Sequence, residues 1–206
     1  IIGCEFYLTP HDRHVKSKMD NEVNYWHLVC LARDEEGYNN LVKLCSTAFI
    51  DGFYYKPRID KQVLADHAKG LICSSACLQG EIPRAILDKN IPKAERAIDE
   101  YIEIFGADNF FLEIMDHGLN EQKAVNEKLI ELSISKNVPL IATNDSHYVD
   151  QSDWEAHDAY LCIGTVKKMN DPNRRRFQGK EFYFKSPAEM KELFAKVPDA
   201  LRNTVH

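Results

Sequence analysis

Asp145-Ser146-His147 is the triplet with the most obvious chemistry. A carboxylate and an imidazole two residues apart on extended chain point the same way. Both ligate zinc and other first-row divalent ions. The triplet follows the apolar run Pro139–Thr143. In parallel α/β folds, working side chains gather just beyond strand ends. The same rule draws attention to Glu5, after the first apolar run, and to Cys77, after Leu71–Ser74. Each also has a plainer reading. Cys77 suits a small buried hydrophobe, His27 a boundary histidine, and Glu5 a loop cap. D-x-H pairs also cap loops. His11 and His14 form H-x-x-H in a polar stretch that reads better as a solvated loop. Asp116-His117-Gly118 follows another apolar run, but Asp and Gly there also mark a turn. Lys167, Lys168, Arg174, Arg175 and Arg176 form the dense basic patch. It suits a phosphate backbone and equally a solvated loop. No P-loop, G-x-G-x-x-G or G-x-S-x-G is present, so nucleotide cradling and serine-hydrolase chemistry have no support.

The elements that must position these residues alternate. Ile1–Glu5, Trp26–Ala32, Leu71–Ser74, Phe110–Ile114 and Pro139–Thr143 read as short apolar strands, with an irregular stretch over 11–24. Asp34 caps a helix carrying Leu41, Leu44, Cys45 and Ala48 on one face. Residues 53–57 read as extended, because a residue before proline avoids the α region. Asp60 opens a short helix that Gly70 stops. Pro92 starts a helix ending at Gly106, and 120–136 forms another with Val125, Leu129 and Leu132 inward. The alternation predicts an α/β fold with a mainly parallel sheet. After Val149 the strand rhythm weakens. A helix over 154–163, a basic loop over 167–176, a short strand at 182–184 and a capping box at Ser186-Pro187-Ala188-Glu189 follow. Residues 1–150 thus read as the core and 151–206 as an attached C-terminal part without a second core.

Composition agrees with one ordinary globular domain. The 206 residues are 44% hydrophobic and 28% charged, which excludes a disordered tail, a collagen-like fibre and a disulfide scaffold. No run approaches the roughly 18 apolar residues of a bilayer span. With 26 Lys+Arg against 32 Asp+Glu, the net charge of −6 confines any nucleic-acid contact to a local patch. The cysteines 4, 30, 45, 73, 77 and 162 form no C-x-x-C and read as thiols of a reducing cytoplasm. The start at Ile1, in the middle of a strand pattern and without Met, suggests an excised piece of a longer protein.

Several segments together carry a resemblance. They are Ile-Ile-Gly-Cys-Glu (1–5), His-Leu-Val-Cys-Leu-Ala (27–32), Glu-Glu-Gly-Tyr-Asn-Asn-Leu (35–41) and Gly-Phe-Tyr-Tyr-Lys-Pro-Arg-Ile-Asp (52–60). Ser-Ala-Cys-Leu-Gln-Gly-Glu-Ile-Pro (75–83), Ala-Thr-Asn-Asp-Ser-His-Tyr (142–148) and Phe-Tyr-Phe-Lys-Ser-Pro-Ala-Glu-Met (182–190) complete the set. Over essentially its whole length the chain resembles the PHP (polymerase and histidinol phosphatase) domains of bacterial replicative DNA polymerase III alpha subunits. The resemblance implies a distorted (β/α)7 TIM-like barrel around a cluster of divalent ions (zinc, manganese or magnesium). Of the family's ligands, an H-x-H, an Asp and the His of a D-H-G would precede Ile1. The remaining five map onto Glu5, His27, Cys77, Asp145 and His147. His27 sits awkwardly, since in a parallel barrel the start of its strand lies at the opposite rim.

The resemblance further implies a cytoplasmic bacterial polymerase. Its PHP domain would serve either as a metal-dependent 3′–5′ exonuclease or phosphoesterase, or as a scaffold docking a proofreading subunit. DNA and other replicase subunits, including a sliding clamp, would be the partners, with no membrane. A free-standing PHP phosphatase is the further alternative. The piece alone is expected to be inactive in polymerisation and to bind metal weakly or not at all. With the first barrel strands missing, open sheet edges would favour dimerisation.

Overall fold

The computed structural model describes residues 1–17 and 25–205, so the irregular stretch expected over 11–24 falls partly outside the described residues. Six strands form one sheet, ordered β3-β1-β2-β4-β5-β6. They are β1 (Gly3–Leu8), β2 (Trp26–Ala32), β3 (Arg58–Ile59), β4 (Leu71–Ser74), β5 (Phe110–Ile114) and β6 (Leu140–Ala142). The helices are α1 (Glu35–Ile50), α2 (Lys61–Asp66), α3 (Glu81–Leu87), α4 (Ile91–Phe105), α5 (Asn120–Lys136), α6 (Trp154–Thr165), α7 (Pro187–Leu193) and α8 (Pro198–Arg202).

The local signals act as the sequence predicts. Asp34 accepts from the Gly37 N–H at 2.8 Å, and Glu35 and Glu36 occupy the positive end of α1. Asp60 caps α2, and Ser186 with Glu189 closes a capping box on α7; Asn90, unmarked in the sequence reading, caps α4. Leu41, Leu44 and Ala48 of α1 and Val125, Leu129 and Leu132 of α5 are buried. Complete burial of a leucine such as Leu44 stabilises the fold by about 1.5–3 kcal/mol. Phe194 and Ala200, near the C-terminal end, join the same hydrophobic core.

Four expectations need correction or refinement. The sheet is mainly parallel but not wholly so: β2 runs antiparallel to both β1 and β4, while β1–β3, β4–β5 and β5–β6 are parallel. Second, 182–184 form no strand, only an isolated bridge from Tyr183 to Tyr148; edge strands β3 and β6 do not pair among the described residues, so barrel closure is not shown. Both edges are short. Asn203 also donates to the Leu140 carbonyl of β6 at 2.8 Å. Third, residues 53–57 are not simply extended, because Tyr55 adopts a φ of 59° and Tyr54 bridges to Lys56. Fourth, Gly70 does not stop α2, whose C-cap is His67. Gly70 (φ +73°) instead lets β4 start against α1. Helix α3 has no counterpart in the sequence reading: its seven residues are too few to show a period.

Strand alternation sorts the sheet into two faces. Phe6, Leu8, Trp26, Leu28, Cys30, Cys73 and Leu112 are buried on one face, where α1 packs on β2 and α4 on β4 and β5. Glu5, His27, Ser74 and Glu113 belong to the other face, on which Glu5 pairs with Val29 and Val29 with Ser74.

Helix α1 approaches the turn before β4 closely. A Cβ on Gly37 would lie 1.8 Å from the Gly70 carbonyl oxygen. Gly37→Ala should therefore cost about 1–3 kcal/mol of stability through overpacking. Gly164→Ala in α6 meets nothing within 4 Å and should gain up to about 1 kcal/mol from helix propensity. Urea unfolding of the two variants tests the pair; a neutral Gly37→Ala would refute the close approach.

Candidate metal centre

The reversal of β2 removes the awkwardness of His27. Because β2 runs against β4, its first residues stand at the rim where β4 ends. His27 pairs with Tyr7 and bridges to Gly80. Beyond β4 the chain turns sharply: Ala76 is left-handed (φ 58°), and a Cβ on Gly80 would lie 2.0 Å from the Ser75 carbonyl oxygen. This turn brings the Cys77 sulfur 3.5 Å from His27 Nδ1. Glu5 Oε1 lies 2.9 Å from the same nitrogen. The hydrogen bond with His27 holds the Glu5 carboxyl below its ordinary range. Burial pushes the Cys77 thiol up to about 12, so it carries its proton at neutral pH.

The D-x-H segment works differently from an extended pair. Asp145 is left-handed (φ 39°), and His147 Nδ1 donates to the Asp145 carbonyl at 2.8 Å. The His147 N–H is fixed to the Phe182 carbonyl at 2.8 Å. Glu5, His27, Cys77, Asp145 and His147 all line one cavity of 420 Å³. Their donor types (two carboxylates, two imidazoles and a thiol) fit a first-row divalent ion. Among the described residues, however, no three His, Cys, Asp or Glu side chains draw close enough to hold one.

Two buried polar residues support the rim. Glu113 is 6% exposed at the end of β5. Its carboxyl accepts from the Ser74 and Thr143 hydroxyls, and its N–H donates to Ser75 Oγ at 2.8 Å. Burial pushes its pKa up, and the two hydroxyls oppose the rise. It thereby joins the ends of β4 and β6, from which the Cys77 and Asp145 loops leave. His117 is 2% exposed and stacks on Phe182 with ring centres 4.1 Å apart. Its Nε2–H donates to the Asn144 carbonyl at 2.7 Å, while Nδ1 accepts from Gln122 Nε2 at 2.7 Å. Gln122 Oε1 accepts the His117 N–H at 2.8 Å. The turn signal at Asp116–Gly118 is real, since Asp116 accepts from the Gly118 N–H. The histidine inside that turn braces the D-x-H loop. A charged residue inside the apolar run Phe110–Ile114 was the available signal for Glu113; the Asp116-His117-Gly118 triplet marks His117, but not its partners Gln122 and Asn144.

The basic run divides. Arg174 is buried, held by both oxygens of Asp158 and by the Met169 carbonyl, and so is not a surface cation. Lys167 pairs with Asp171 at 3.3 Å, and Lys168 is exposed. Arg175 and Arg176 line the cavity together with Arg84 of α3, which sequence reasoning missed with its helix. His11 and His14 stay outside this cavity, whose lining includes neither.

A mixed α/β sheet carrying His, Cys and acidic residues around one rim cavity defines a class. The PHP domain family matches residues 1–117, and the chain belongs to that family. Over 205 residues it is 48% identical to DNA polymerase III subunit alpha of Treponema pallidum and 46% identical to that of Borreliella burgdorferi. In both cases 100% of the chain is covered and 18% of the relative. The Thermus aquaticus subunit is 45% identical over 201 residues, covering 97% of the chain and 16% of that protein. The chain thus spans less than a fifth of the length of these curated relatives.

The His117 clasp predicts a pH response. Burial lowers its pKa below the ordinary 6.5, so the unfolded chain takes up a proton first as pH falls. Its contribution is intact above about pH 6.5, declines below that value, and levels off beneath the folded pKa. The urea midpoint should drop between pH 7.5 and 5.5, and His117→Asn should reduce that drop. Parallel declines in wild type and variant would disprove the clasp.

Proposed function

We propose that this chain is the PHP region of a replicative DNA polymerase alpha subunit, and that its rim cavity is a divalent-metal phosphoesterase site of the whole protein. The observation that supports this most is the convergence of Glu5, His27, Cys77, Asp145 and His147 on one cavity that also holds Arg84, Arg175 and Arg176. The five would hold the metal. When bound, divalent ions of this kind activate water and polarise a phosphorus–oxygen bond. The chain's own residues prepare the space. Arg84, Arg175 and Arg176 favour an anionic phosphate ester, and Glu113 and His117 hold the two ligand-bearing loops. Release of nucleotides from a DNA 3′ end is the matching activity. Nucleotidyl transfer would reside elsewhere in the whole protein, with DNA and the other replicase subunits as partners in a bacterial cytoplasm. No described helix is long and apolar enough to cross a membrane.

A scaffold role is the second reading. It is favoured by the ungathered donors and by the exposed apolar side chains Tyr38, Val42 and Phe49 along α1. In this reading the domain docks a proofreading subunit. Dimerisation of the isolated chain and a free-standing phosphatase have less support, because both sheet edges are short and the match continues through the full chain of a far longer relative.

The decisive measurement uses the full-length protein. Asp145→Asn and His147→Ala should each lower bound metal, measured by mass spectrometry. Each should also reduce nucleotide release from single-stranded DNA by about 100-fold, taking metal-ligand loss to be at least as severe as loss of a ligand's hydrogen-bonding support. Primer extension should persist in both variants. Full-length wild-type protein without stoichiometric metal would defeat the catalytic reading and leave the scaffold.

A further inference from the structure

The metal-ligand cavity has a neighbour. A second cavity of 340 Å³ is lined by Tyr148, Trp154, His157, Phe177, Arg176 and Lys180. Arg176 and Phe177 belong to both cavities, so the two share a wall. The second is built from ring faces and cations. Lys180 Nζ sits 4.1 Å above the Trp154 ring, and His157 packs against Tyr148 and Phe177 with ring centres 5.3 and 5.1 Å apart. Trp154 and Tyr148 are half-buried, leaving part of each side chain open to solvent.

The charge balance points to an anion. The acid on this wall, Asp158, is bound by both terminal nitrogens of Arg174. That pair leaves Arg176 and Lys180 as cations without a carboxylate partner within 4 Å among the described residues. Aromatic faces beside uncompensated cations are what a single nucleic-acid strand requires. A base stacks on the ring, and its phosphate meets the guanidinium or ammonium group. An apolar peptide would gain nothing from the cations, and a free phosphate nothing from the rings.

We propose that this second cavity is a nucleotide subsite for single-stranded nucleic acid. The base next to the scissile phosphodiester stacks on Trp154 and Tyr148, and Arg176 holds the phosphate that passes between the cavities. This assignment rests on the phosphoesterase reading for its orientation, not for its ligand chemistry. It also explains the division of the basic run. Arg174 neutralises the carboxylate that would repel the strand, leaving Arg176 free to meet it.

Photo-crosslinking of the full-length protein tests the subsite without any metal. The probe is a single-stranded deoxythymidine oligonucleotide with 5-iododeoxyuridine at the penultimate position, bound in EDTA. Mass spectrometry should place adducts on Trp154 and Tyr148. In Trp154→Ala the adduct at Tyr148 should fall about tenfold, the scale of one lost base–aromatic stack, and Trp154→Phe should restore most of it. Lys180→Ala, at an exposed position, should lower the yield and weaken its dependence on salt. Adducts confined to residues outside 148–180, or an unchanged Tyr148 adduct in Trp154→Ala, would overturn the subsite. Adducts at Trp154, together with no stoichiometric metal in the same protein purified without chelator, would sustain the subsite while removing the phosphoesterase reading.

Discussion

Strand β2 runs against both of its neighbours, β1 and β4, and the candidate site depends on that direction. Its seven residues span about 20 Å at roughly 3.3 Å each. Turned parallel to β4, the strand would carry His27 to the far end of the sheet. In the observed direction His27 stands beside the turn that follows β4. One imidazole nitrogen then lies within 3.5 Å of both the Glu5 carboxylate and the Cys77 sulfur. Glu5 reaches the same point from the middle of β1, not from its end.

The rim is held by buried polar contacts rather than by apolar packing alone. The Cys77 loop contains a left-handed Ala76, and the D-x-H loop a left-handed Asp145. Such backbone costs about 1–3 kcal/mol per residue and persists only where its surroundings hold it. Glu113 supplies that hold at the strand ends. His117 supplies it from the turn before α5, with Gln122 fixing its tautomer. A neutral imidazole can donate to Asn144 and accept from Gln122 at once, which an imidazolium cannot do. The residues nearest the proposed chemistry thus rely on two groups that do not face the reacting space as ligands. On the outer side, the buried Arg174 pairs with the half-buried Asp158 and leaves Arg175 and Arg176 for the cavity.

Much of the fold was legible because its signals are local. Strands β2, β4 and β5 and helix α5 appear with the boundaries that their apolar runs and spacing suggest. The caps at Asp34, Asp60 and Ser186 act through side chains that reach only three residues along the chain. Helix α3 was not legible, being seven residues long. Arg84 on that helix therefore went unnoticed. Gly70 was read as a helix stop because its true reason, the Gly37 backbone, lies far away in sequence. The grouping of Glu5, His27, Cys77, Asp145 and His147 came from resemblance to a family, since each residue alone has an ordinary structural explanation.

By itself, then, the sequence determined most of the longer strands and helices, several of the helix starts, and which five residues merit attention. These follow from periodicity, capping and family resemblance, all of which can be read along the chain. Tertiary structure alone decided strand direction, and with it the rim that His27 occupies. It turned Arg174 inward while Arg176 faces two cavities, and it made His117 a brace. Each of these outcomes depends on a partner 16 or more residues away, such as Asp158 for Arg174 or Asn144 for His117. Burial and pairing at that range are set by how the whole chain packs, and no local pattern encodes them.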